Sequence, residues 1–276
     1  MTIASLLRSA ALLLGLASIA LPSTAQAQAC GSTAASFEPW LAGFKGRARA
    51  AGVSQEALDR GLSGVTYDPT VIGLDRNQKS FGLTFEQFYA RRVSNAMISK
   101  GRAFIASNRA LATRIEQQFG VPMEIIVSIW GLETNYGAQR GNLSIIRSVA
   151  TLASDCRRQA FFENELLSAM KIVQRGDLPI AQMRGAWAGE IGQTQFLPSS
   201  YINFAVDFDG DGRANLVSSV PDVLASTANF LKQKGWQKGA GWSEGTANAG
   251  VLREWNRAGV YVKTIGAMAS SMKGGA

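Results

Sequence analysis

Histidine is absent from this 276-residue chain, and that sorts the available chemistry before any motif is read. Without imidazole there is no Ser–His or Cys–His nucleophile pair and no His-ligated zinc. Proton transfer near neutral pH then falls to a carboxylate, a lysine or a tyrosine. One carboxylate stands out by position. Ile126, Ile129, Trp130 and Glu133 fall at i, i+3, i+4 and i+7 and share one face of a helix predicted over Met123 to Tyr136. A glutamate on an apolar stripe is desolvated, so its pKa rises and it can stay protonated, the state a general acid needs to protonate a glycosidic oxygen. The spacing also fits an ordinary glutamate near a helix end, hydrogen-bonded to Asn135 or a neighbouring segment, and periodicity leaves both readings open.

Two other groups could do chemistry. Asp207, Asp209, Asp211, Gly212 and Asn215 fit positions one, three, five, six and nine of a calcium loop, and Arg213 would offer its backbone carbonyl at position seven. Position twelve is Ser218, where a bidentate glutamate is expected. The readings are a structural cation site, for calcium or sodium, and an Asp-Gly turn that binds nothing. The chain has two cysteines, Cys30 and Cys156. An isolated pair in an oxidising compartment favours a disulfide; a lipidated Cys30 and two free thiols are the alternatives, and Ala27-Gln28-Ala29 lacks the leucine of a lipoprotein signal.

The elements that must position these residues are mostly helices. Phe37, Trp40, Leu41, Phe44 and Ala48 recur at helical spacing, and Ser54 opens a capped second helix. Residues 63–83 read as an irregular surface excursion. Helices are predicted over Thr84 to Ser99, Ala103 to Phe119, Leu143 to Leu152, Arg157 to Gln174, Val220 to Lys234 and Val251 to Met272. Gly120 and Pro122 separate the third helix of the chain's middle from the one bearing Glu133, which Gly137 ends. Period-2 patterns are scarce and no repeat is visible.

Composition narrows the setting. Hydrophobic residues make up 46% of the chain, enough for a large core. The net charge of +8 favours anionic polymers without choosing among nucleic acid, lipid and cell wall. Arg8, the apolar run Ala10 to Leu21, and Ala25-Gln26-Ala27 read as a signal peptide over residues 1–27, too short for a comfortable membrane span. Export to the periplasm disfavours nucleic acid as a partner.

Gly131-Leu132-Glu133-Thr134-Asn135-Tyr136-Gly137 resembles the catalytic segment of the lytic murein transglycosylases of the membrane-bound transglycosylase B type. Ala188 to Tyr201, containing Gly192-Gln193-Thr194-Gln195-Phe196, resembles that family's second signature. Val206 to Gly212 resembles its metal loop, and Trp255-Asn256-Arg257 with Tyr261 its C-terminal active-site segment. The four segments stand in order over residues 35–270.

The resemblance implies a mostly α fold: a lysozyme-like transglycosylase core with additional N-terminal helices, an EF-hand-like metal loop over 207–222 and little β, forming one domain over 28–276 without the β-rich insertion some members carry. It implies cleavage of the β-1,4 bond between N-acetylmuramic acid (NAM) and N-acetylglucosamine (NAG) in peptidoglycan, leaving 1,6-anhydro ends, with Glu133 as the single acid/base. Gln195, Tyr89, Tyr136, Phe161, Asn256, Trp255 and Tyr261 would contact the substrate. Phe161 and Trp255 stand where relatives can have tyrosine, and Ala186 where some have a hydroxyl. Asp222 would complete a cation site with Asp207, Asp209, Asp211 and Arg213. No cofactor is expected for the chemistry, only a structural Ca2+ or Na+. The expected partners are glycan strands and cell-wall synthesis proteins, with at most peripheral membrane contact and a monomeric chain. A hydrolytic muramidase and a non-catalytic peptidoglycan-binding protein are the rival functions.

Overall fold

The computed structural model describes residues 30–77 and 82–274; the expected signal peptide lies outside them. The first helices form where the apolar periods and caps coincide. Helix α1 (Ala34–Ala50) starts at a capping box between Thr33 and Ser36 and buries Phe37, Trp40, Leu41, Phe44 and Ala48. In α2 (Gln55–Leu62) the Ser54 hydroxyl accepts from the Ala57 amide.

The expected surface excursion over 63–83 is corrected. It contains α3 (Pro69–Arg76), capped by Asp68, with Pro69 in the first turn and Val71 and Ile72 buried. The helix is too short for its period to stand out. The helices predicted over Thr84 to Ser99 and Ala103 to Phe119 are instead three: α4 (Phe85–Arg92), α5 (Asn95–Ser107) and α6 (Arg109–Phe119). Ser94 breaks the first run because its side chain caps the amide of Met97, and Asn108 breaks the second with a non-helical backbone.

Helix α7 (Met123–Thr134) is buried on nearly every side. A short ladder pairs β1 (Leu143–Ser144) antiparallel to β2 (Arg184–Gly185) with Leu143 opposite Gly185. Between them run α8 (Ile145–Ser154) and α9 (Gln159–Arg175). Next come α10 (Pro198–Phe204), opened by a first-turn proline and missed in the sequence, and α11 (Val220–Gln233). The helix predicted over Val251 to Met272 is two, α12 (Ala247–Trp255) and α13 (Gly259–Lys273).

The architecture is mostly helical with little strand. Helices α5, α6, α11 and α13 pack around α7, while α1, α2 and α3 lie against the α8–α9 pair. No described helix is long and apolar enough to cross a membrane.

Of the three readings of the cysteines, the structure has the disulfide, Cys30–Cys156. It fastens the segment before α1 to the α8–α9 turn. The Gly31 amide donates to the Ser154 carbonyl there, and Ser32 and Arg76 both donate to Asp155. A crosslink spanning 126 residues restricts the unfolded chain strongly. Cys30→Ser/Cys156→Ser is expected to lose about 2–4 kcal/mol of stability, read as a lower urea midpoint with an unchanged native spectrum.

Candidate active site

Helix α7 ends at Thr134, the residue after Glu133, and the stop is unusual. Asn135, Tyr136 and Gly137 follow with φ of 50°, 59° and 82°. A left-handed aromatic residue is strained and persists only where its surroundings fix it. The Tyr136 ring meets Trp130 edge-on at 5.3 Å, and its hydroxyl donates to the Met97 carbonyl at 2.6 Å. Gly131 makes room for that ring: a Cβ there would lie 2.9 Å from Tyr136 Cζ. Tyr136 is thus buried as a structural post.

A second fastening comes from Gln193, which sequence reasoning did not single out. Trp130 Nε1 donates to its Oε1 at 2.9 Å, and its Nε2 donates to the Val217 carbonyl. Thr134 Oγ1 donates to its backbone carbonyl. The turn within the second signature is thereby tied to the last turn of α7. The sequence offered one signal: Gln193 and Gln195 flank a buried threonine inside the signature.

Glu133 itself is half-buried and faces a cleft also lined by Glu190, Gln195, Phe196, Trp255 and Asn256. Two donors converge on one of its oxygens. Tyr261 Oη donates to Oε1 at 2.7 Å and Trp255 Nε1 at 3.0 Å. With Oε1 accepting twice, a proton carried by the group belongs on Oε2. Burial raises the Glu133 pKa above the ordinary glutamate range, against the opposing pull of Tyr261, Trp255 and the Arg92 guanidinium. Arg92 is held on α4 by donating to the Leu132 carbonyl. The Tyr261 hydroxyl is pushed well up by burial and by Glu133's charge, so it stays a donor.

The other expected contacts separate into two groups. Gln195, with a left-handed φ of 55°, lines the cleft; its Nε2 is engaged with the carbonyls of Gly192 and Arg140. Asn256 lines the cleft and accepts from the Ala258 amide. Trp255 is boxed by Phe196 at 5.3 Å and Phe230 at 5.1 Å. Tyr261 is only 7% exposed and grips the Glu133 carboxyl. Tyr89, on α4, packs on Phe85, and Phe161, on α9, is 45% exposed beside Phe162. Neither is part of the wall around Glu133. Glu190, a second carboxyl in the cleft, was not anticipated.

In the acidic loop, carboxylate oxygens of Asp207, Asp209 and Asp211 all lie within 4.8 Å of one another and are exposed, a hard-oxygen set that fits a cation such as calcium. Asp222 is fully buried and receives the backbone amides of Phe208, Asp209 and Asn215, so it holds the loop's shape. Arg213 is exposed, its amide donating to Asp211. The loop reaches the site through Leu216, whose carbonyl accepts from the Gln193 amide.

Residues 36–247 match the family described as "Transglycosylase SLT domain". The chain belongs to that family. Among its relatives is membrane-bound lytic murein transglycosylase B of Escherichia coli (strain K12), 38% identical over 143 residues. The alignment covers 51% of this chain and 39% of that protein, so the chain spans about two fifths of that relative. Among solved structures, SltB3 from Pseudomonas aeruginosa in complex with NAG-anhNAM-pentapeptide superposes with a TM-score of 0.81 and 31% identity, covering 87% of this chain and 80% of that one. The Escherichia coli lytic transglycosylase Slt35 in complex with calcium has a TM-score of 0.74 at 24% identity, over 84% of this chain and 92% of that one.

In this transglycosylase-domain chain the raised pKa of Glu133 has a consequence for stability. The unfolded chain releases this proton in the ordinary glutamate range while the folded state still holds it. Stability therefore falls as pH rises from that range through the raised pKa. Glu133→Gln is expected to melt higher than the parent at about pH 8, with the gap closing at about pH 4, read by parallel thermal melts.

Proposed function

We propose that this chain is a peptidoglycan lytic transglycosylase, cleaving the β-1,4 bond between NAM and NAG with formation of a 1,6-anhydro end. The observation that carries the reading is the Glu133 carboxyl, desolvated, pinned at Oε1 by Tyr261 and Trp255 and facing a cleft. The family membership and the SltB3 complex with NAG-anhNAM-pentapeptide support it.

In the proposed reaction Glu133 Oε2–H protonates the glycosidic oxygen. The C1–O bond breaks, its electron pair leaves with the NAG oxygen, and positive charge develops at NAM C1. The new carboxylate then takes the proton of the NAM C6 hydroxyl as that oxygen bonds to C1. Glu133 ends protonated, no water is consumed, and one group acts twice because the transfers are sequential. Gln195, Asn256 and Trp255 would orient the sugar, with Phe161 and Tyr89 along more distant parts of the strand. Further carboxyls in the same cleft, Glu190 and Glu254, favour a hydrolytic muramidase, since such enzymes use two.

Export to the periplasm, a monomeric state and cell-wall synthesis partners complete the reading, supported by the basic charge and by relatives named for murein. Calcium, or sodium, would be held by Asp207, Asp209 and Asp211, with Arg213 offering its carbonyl; it supplies local charge neutralisation and takes no part in bond cleavage.

Digestion of purified peptidoglycan with mass spectrometry tests the activity. The expected products carry anhydro ends, and Glu133→Gln should lower their rate of release by about 10²–10⁴-fold. Reducing ends would support the hydrolytic reading, and an unaffected Glu133→Gln would refute both. For the ion, calcium at 100 times its Kd should add about 2.7 kcal/mol to stability. Asp209→Asn should abolish that increment, and a melting temperature indifferent to calcium and chelator would remove the site.

A further inference from the structure

The mechanism just given leaves Glu190 unused, yet its surroundings are built around it. It sits in the turn between Gly189 and Gly192, where Ile191 bridges both Gly185 and Phe196 in antiparallel register. Its carbonyl lies so close to Gly185 that a side chain there has no room. The backbone is thus fixed, and the half-buried side chain shares the cleft wall with Glu133, Gln195 and Trp255.

One carboxyl oxygen, Oε2, is sealed from solvent and meets no hydrogen-bond partner among the described residues. A carboxylate oxygen in that condition is destabilising unless the group is neutral or a ligand completes it. No ion pair compensates it: the Arg158 guanidinium is bonded to Asp75 and acts on Glu190 only through its field. Burial raises its pKa most. The amides of Glu190 itself and of Ala188 and the Arg158 charge oppose this, while the charge of Glu133, facing it from α7, adds to it. Arg92, Tyr261 and Trp255 spend their influence on Glu133. The group is therefore disposed to be a neutral acid, able both to donate and to accept.

We infer that Glu190 is a second substrate-contacting carboxyl of this cleft, hydrogen-bonding a hydroxyl or acetamido group of the bound glycan beside the bond that Glu133 protonates. The inference rests on the glycan reading above only in the nature of the ligand. Glu190 forms no bond to carbon and transfers no proton in the cycle; it contributes by holding the sugar. The same side chain would cost binding if it ionised without a donor to meet it, so its contact is selective for ligands offering both hydrogen-bond senses.

Binding tests this separately from turnover. A soluble NAG–NAM tetrasaccharide is titrated calorimetrically into Glu133→Gln, Glu133→Gln/Glu190→Ala and Glu133→Gln/Glu190→Gln, with a thermal melt of each. The alanine change is expected to weaken binding roughly tenfold. Glutamine, which also donates and accepts, should recover most of it, with all three proteins folded. Equal affinity in the parent and the alanine variant overturns the inference while leaving the glycan reading intact. A loss that glutamine does not recover, or that follows the melting temperature, assigns Glu190 to structure and overturns it too. A parent that binds no fragment overturns both.

Discussion

Two hydrogen bonds on one oxygen of Glu133 set the requirements for everything around it. In the proposed reaction, a carboxyl that would give a proton and then take one back needs that proton on the same oxygen each time, at the same tilt. Desolvation alone would leave a neutral acid free to rotate; a clamp alone, in water, would hold an ordinary carboxylate. Here burial pushes the group toward its acid form, while Tyr261 and Trp255 occupy Oε1 and leave Oε2 for the proton. The opposing influences on its pKa are therefore what lets one side chain play both parts.

Delivering those two donors is a demand on the whole chain, because they come from more than 120 residues away in sequence. The interruption between α12 and α13 does it. Asn256 caps the turn by accepting from the Ala258 amide, so that Trp255 closes one helix and Tyr261 lies in the first turn of the next. Phe196 and Phe230 fix the indole from two sides. On the other wall, the non-glycine residues with left-handed backbone among those described are Asn135, Tyr136 and Gln195, all beside or within the cleft. Strain of that kind is retained where surrounding contacts over-determine it, and the Tyr136–Met97 and Gln193–Trp130 bonds supply those contacts.

Much of this was legible in the sequence, and what was not has physical reasons. The apolar stripe through Ile126, Ile129 and Glu133 is a local property of one helix, so periodicity found it. Breaks at Ser94, Asn108 and Asn256 were invisible because the apolar residues on either side keep helical spacing; only capping hydrogen bonds or a non-helical backbone separate the pieces. Helix α3 escaped because eight residues carry too few turns to display a period. Tyr136 and Tyr261 were assigned to the sugar from the matched segments, which do not reveal that their hydroxyls bond the Met97 carbonyl and the Glu133 carboxyl. Asp222 was proposed as a ligand from the resemblance, which does not reveal that its oxygens receive three backbone amides. Glu190 went unnoticed because its environment is assembled entirely from tertiary contacts.

The acidic loop illustrates how support can be separated from chemistry. Asp207, Asp209 and Asp211 hold like charges close together, an arrangement that repels unless neutralised, while buried Asp222 gives the loop its shape from beneath. The route from that loop to the acid is mechanical: the Leu216 carbonyl takes the Gln193 amide, and Gln193 takes the Trp130 indole and the Thr134 hydroxyl on α7. Exposed charges are screened over about 8 Å at physiological salt, whereas the field on Glu133 comes from Arg92 of α4, bonded to the Leu132 carbonyl of α7. A cation bound in the loop would thus change how firmly Glu133 is held and leave its proton affinity to the clamp. That division lets one fold keep a loop this acidic while the proposed chemistry at Glu133 depends on retaining a single proton.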